Sequence, residues 1–185
     1  MTTNNFEQIK AMLIDWESGS VRNYPMPIKN TDGETFDTIV FTSVYPGIYK
    51  IDRDNTYFSK VSTGSTTTWF GGIWIGSDNT APTENDFRLG APIDASKVTL
   101  GAVSIDFDIQ ENKRVYIFQR TFTANESFNI NEVCFYKQVK GMQGSNYKLA
   151  PVVLTRDVLP NTFSVSAGQT FTISIALTMW GDRNG

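Results

Sequence analysis

Carboxylates at alternate positions are the first places in this chain where chemistry could arise. Asp52, Asp54 and Thr56 stand two apart in D-R-D-N-T, and oxygen ligands at that spacing can hold calcium. The glycine and closing glutamate of a calcium loop are missing, and Arg53 sets a positive charge beside the group. A solvated turn is the expectation there. Asp106 and Asp108 share one face of an alternating stretch, with Glu111 close behind. Paired carboxylates can do acid–base work or bind a metal, but the polar face of such a strand ordinarily meets water. Cys134 lies in V-C-F-Y, where a thiol behaves as a small apolar group. Trp69, Phe70, Trp74 and Trp180 would stack sugar rings if exposed. Core packing or subunit contact is the expectation instead, because aromatic side chains dominate both. Glu132 is the odd charge in an apolar stretch between Ile130 and Val133. Once buried it needs a partner. Of Arg156, Arg120 and Lys97, Arg156 is the expected one, in a structural ion pair with Glu132.

The composition narrows these options. The 185 residues contain no histidine, which removes the usual general base near neutral pH and the commonest metal ligand. Ser-His-Asp and Cys-His mechanisms are thereby excluded. The single cysteine allows no internal disulfide. A net charge of −3 gives no basic surplus for sequence-independent nucleic-acid binding. No apolar run approaches the ~20 residues of a membrane span, and the Met-Thr-Thr-Asn-Asn start does not read as a secretion signal. A protein without enzymatic activity, without cofactor or metal, and with neither nucleic acid nor membrane as partner is expected.

The elements that must position these residues follow from periodicity. Phe6, Ile9, Leu13 and Trp16 fall at helical spacing, with Asn4 or Asn5 able to cap the start and Gly19 to stop it. This helix either packs over the domain or serves as an arm on a neighbouring subunit. Pro25, Pro27, Asn30, Asp32 and Gly33 make Val21–Glu34 a loop. Beyond it the period falls to two. Strands are expected at Thr38–Val44, Ile48–Ile51, Tyr57–Val61, Trp69–Ile75, Val98–Ile109, Arg114–Phe122, Ile130–Val139 and Tyr147–Leu154. Phe171, Ile173, Ile175, Leu177 and Met179 alternate with Thr170, Thr172, Ser174, Ala176 and Thr178 to form the last. Gly76–Pro92 is a polar loop. About nine or ten short strands without intervening helices argue for an all-β, two-sheet, jelly-roll-like sandwich. Residues 1–34 form an N-terminal helix and arm, and 35–185 the sandwich domain.

Three stretches resemble a group of small structural proteins of tailed bacteriophages. Ile73–Ile93, I-W-I-G-S-D-N-T-A-P-T-E-N-D-F-R-L-G-A-P-I, is similar to that group's strand, G-x-G-x-T-x-P turn, spaced Asp and apolar-Pro ending. Ile130–Tyr136, I-N-E-V-C-F-Y, is similar to its I-x-E-V-G-L-F strand. Leu154–Met179 is similar to its L-x-A-R-D-V-L segment, followed by A-G-Q-T and an alternating strand. Gly76-Ser77-Asp78 replaces the glycine pair, Cys134-Phe135 replaces Gly-Leu, and Thr155 stands for a small Ala. The resemblance covers residues 70–180.

The resemblance implies a virion component: a capsid decoration, head-fibre, neck or tail-associated protein, made in the host cytoplasm and carried in the particle. It would act by binding copies of itself, as a trimer or higher ring, and neighbouring virion proteins. Phe6, Ile9, Leu13, Trp16, Trp69, Phe70 and Trp74 are the candidate contact residues. A carbohydrate-binding module for host adsorption is the alternative, resting on Trp69 and Trp74.

Overall fold

A computed structural model describes residues 1–7, 28–36, 38–39, 72–110, 113–143 and 145–180. Among these, β1 (Ile28–Lys29), β2 (Thr35–Phe36), β3 (Thr38–Ile39) and β4 (Gly72–Gly76) precede a single 3-10 turn at Ala95–Lys97. The long strands follow: β5 (Val98–Gln110), β6 (Lys113–Ala124), β7 (Phe128–Gln143), β8 (Asn146–Val165) and β9 (Thr170–Trp180). The fold is an all-β sandwich. One sheet runs β5-β6-β9, and the other pairs β7 with β8 on one side and with β3 and β4 on the other.

From β6 to β9 the pairings nest. Thr123 faces Thr170, Phe128 faces Val165, and the ladder continues to Gln143 and Asn146 at the tip. One long antiparallel ribbon therefore passes from the first sheet into the second, which is how jelly-roll sandwiches are wound. Alternation explains why the ribbon has a core side. Phe118, Phe122 and Ala124 of β6, and Phe171, Ile175 and Leu177 of β9, are buried. Across the two sheets Phe118 lies 4.3 Å from Phe135, Trp74 lies 6.2 Å from Phe122, and Phe128 meets Phe171 edge-on.

The other side of β5-β6-β9 faces solvent and is built of small hydroxyl and amide groups. Gln119 bridges Ser104 and Ser174 across three strands, Thr121 bonds Thr172, and Thr123 bonds Thr170. Val115, Ile117 and Ala176 continue this face. Among its described side chains Asp106 is the only charge.

Two stretches depart from the sequence expectation. The loop expected through Glu34 contains the β1–β2 hairpin, whose register Ile28↔Phe36 straddles the boundary drawn between 34 and 35. Gly33 at φ 83° makes its turn. Asn30 holds it from inside, accepting from the Asp32 and Glu34 N–H groups and donating to the Glu34 carboxylate. The strand expected to end at Leu154 runs on to Val165. Its pairing jumps from Glu132↔Val158 to Ile130↔Phe163. The intervening segment bulges, and a bulge tolerates Pro160 where a regular central strand would not.

Residues 1–3 lie antiparallel against the free edge of β8. Thr3 N–H donates to the Leu154 carbonyl at 3.0 Å, and the Arg156 N–H donates to the Met1 carbonyl at 3.0 Å. Residues 4–7 are helical. Asn5 acts like a strand residue turned sideways: its amide donates to the Lys29 carbonyl while its oxygen accepts from the Lys29 N–H. The remainder of the expected Phe6–Trp16 helix, and the strands expected within 40–71, lie outside the described residues.

Candidate functional site

Among the described residues, a dense polar cluster forms where the loop after β4 folds back on the second sheet. The loop ends are tied together, with Ser77 N–H donating to the Ala91 carbonyl and Ile93 N–H to the Ile75 carbonyl. Between these ties, Asp78 and Asp86 each fold onto a nearby threonine. Asp78 accepts from the Thr80 N–H and hydroxyl, and Asp86 from those of Thr83. Such side-chain turns are what Asp contributes to irregular backbone. They also aim Oδ2 of each inward.

Arg156, on β8, receives them. Its Nε donates to Glu132 Oε2 at 2.7 Å, Nη1 to Asp86 Oδ2 at 2.8 Å and Nη2 to Asp78 Oδ2 at 2.9 Å. Glu132, fully buried on β7, also accepts from the N–H groups of Gly90 and Ala91. The loop can approach this closely only because Gly76 and Gly90 lack side chains. A Cβ at Gly76 would stand 2.3 Å from Glu132 Oε1, and one at Gly90 would stand 1.9 Å from Asp78 Oδ2. For Arg156 burial opposes the charge, but the hydrogen bonds it donates to Asp86 and Glu132 outweigh it and hold the group above its usual range. For Asp86 burial likewise opposes ionisation, and the bonds from Thr83 and Arg156 leave its pKa below the ordinary 3.8. Asp78 is lowered chiefly by Thr80. The guanidinium occupies the centre where a cation would sit, so the arrangement acts as a staple between loop and sheet.

The expected partner of Glu132 is thus the one in place. Lys97 instead meets Glu126 at 2.6 Å, and Arg120 lies by Tyr136. Asp78 and Asp86 were not among the expected partners, because a loop has no period from which inward-pointing residues can be read. Two of the candidate contact residues require correction. Phe6 and Trp74 are 4% and 3% exposed and belong to this chain's own core. The Trp74 indole N–H is committed to the Ile93 carbonyl at 3.0 Å. Trp74 therefore offers neither subunit contact nor an open sugar platform. Ile9, Leu13, Trp16, Trp69 and Phe70 lie outside the described residues, as do Asp52, Asp54, Thr56 and Glu111 and the side chains of Asp108 and Trp180. Asp106 is exposed on the hydroxyl-rich face. Cys134 is buried, and burial pushes its thiol pKa up, away from the thiolate a nucleophile needs.

Beside the staple is a cavity of about 350 Å3. Trp74, Cys134, Tyr136 and Val153 form its buried part, and Arg88 and Pro92 stand at its exposed part.

No family model, curated protein or solved structure matches the chain.

Proposed function

We propose that this chain is a bacteriophage virion structural protein that acts by self-association and by binding neighbouring virion proteins. The observation that best supports this reading is the solvent face of β5-β6-β9. It is broad and pleated, laddered by hydroxyl and amide bonds, and carries Asp106 as the single charge among its described side chains. The centres of protein interfaces are depleted of charge in the same way. A face whose side chains already bond one another also has little rotamer freedom left to lose on docking. The resemblance of residues 70–180 to small phage structural proteins points in the same direction.

Sedimentation velocity of the purified protein over a wide concentration range, together with co-sedimentation with purified particles, tests the reading. A concentration-dependent oligomer that joins particles is expected. A chain that stays monomeric throughout and fails to join them would end the proposal.

A further inference from the structure

We propose that the cavity beside the staple binds a small apolar carboxylate, of the size and shape of an arylacetate. Two independent features of the molecule converge on it.

The first is the cavity. At about 350 Å3 it is in the range that takes a small organic molecule. Its walls are largely apolar: Trp74, Leu89, Val153 and Pro92, with the un-ionised thiol of Cys134. Among the described residues no carboxylate lines it, and the one charged lining residue is Arg88. Arg88 is exposed and its guanidinium sits 5.4 Å from the Phe87 ring, which Lys29 approaches from 5.6 Å. Two cations thus stand on one aromatic ring, and Arg88 is the one of them that lines the cavity.

The second is Arg120. It is 5% exposed, and its Nε has no hydrogen-bond partner. Among the described residues no carboxylate pairs with it. Its contacts are the Phe122 ring at 5.9 Å and a hydrogen bond with Tyr136, which is itself a wall of the cavity. Guanidinium has only donors to give, so the phenol oxygen is the acceptor, and a buried positive charge stands behind the cavity wall. A buried cation with no carboxylate partner among the described residues is costly to hold. An anion on the far side of Tyr136 offsets part of that cost at a distance where the low dielectric screens little. Apolar walls select a hydrocarbon body, and cations at the mouth and behind the wall select a negative head.

Calorimetric titration with phenylacetate, phenylacetamide and benzylamine tests the assignment. Phenylacetate should bind, roughly tenfold or more tighter than the neutral amide, as losing one charge-assisted contact implies, and benzylamine should bind least. Val153→Phe fills the cavity and should abolish binding. Arg88→Gln alters an exposed side chain, so it should leave the melting temperature unchanged while weakening phenylacetate roughly tenfold and the amide little. Failure of phenylacetate to bind, equal binding of acid and amide, or Arg88→Gln affinity equal to the original would each overturn the proposal. Should Val153→Phe fail to fold, the Arg88→Gln comparison decides alone.

Discussion

Arg156 keeps its charge in the interior because three carboxylates converge on it, and each partner becomes expensive to remove singly. Arg156→Met leaves Glu132 buried with backbone donors only and is expected to lower stability by about 3–5 kcal/mol. A urea midpoint matching that of the unaltered protein would show that the staple holds nothing. Acid should loosen it too. Asp86 and Asp78 have folded-state pKa values below 3.8, so their contribution is complete above the unfolded value of about 3.9 and fades as pH falls through the folded one. Stability is expected to drop below about pH 4, and Asp86→Asn should show a shallower drop than the unaltered protein. Parallel urea curves at neutral and acid pH would refute this. Cys134 supplies a probe of opening. Its buried, un-ionised thiol should resist iodoacetamide in the folded protein and react once urea unfolds it. Of this cluster, the Glu132–Arg156 pair was legible beforehand, since a carboxylate inside an apolar strand demands a cation. Asp78 and Asp86 were not, because what turns them inward is Thr80 and Thr83 in a loop without periodicity.

At the scale of elements, Phe122 joins the two sheets. It is fully buried, stacked 5.4 Å from Phe171 on β9 and edge-on to Trp74 on β4. Phe122→Ala is expected to cost about 3–5 kcal/mol, the range for removing a large core ring. A loss under about 1 kcal/mol would mean the sheets do not depend on this contact. The clean two-residue period made β9 and the second half of β5 readable from sequence. β8 was half missed, because Asp157, Pro160 and Asn161 look like a stop signal. Pro160 and Asn161 are accommodated in the bulge that separates Val158 from Phe163 in the ladder, while Asp157 keeps a regular place opposite Val133. The β1–β2 hairpin was missed for a related reason. Two residues on each arm are too few to show a period, and the tie that stabilises them comes from Asn5, far away in the chain.

For the whole molecule, the two faces of β5-β6-β9 divide the work. The inner one supplies the aromatic core, and the outer one carries Asp106 as the single charge among its described side chains. Thr172→Lys places a buried-upon-docking cation at the middle of that outer face. Under the proposed self-association it should reduce the association constant at least tenfold while leaving the fold intact, because Thr172 is exposed in the single chain. Sedimentation of this variant beside the parent is the measurement, and an unaltered association constant would move the contact surface elsewhere. Composition made the all-β sandwich legible, since strands without intervening helices leave few architectures. Which exposed face matters was not legible, because a sequence does not report which side of a sheet is covered.

The nested ladder from Gln143↔Asn146 back to Arg114↔Trp180 also bears on how the chain reaches this state. Every rung encloses the ones nearer the tip. Once the tip closes, each later rung needs only a short closure, and the entropic toll of joining residues so far apart along the chain is met in small instalments. Pairing can advance like a zipper from the tip, leaving the β4 loop and the amino-terminal residues to be clipped on when the second sheet already exists.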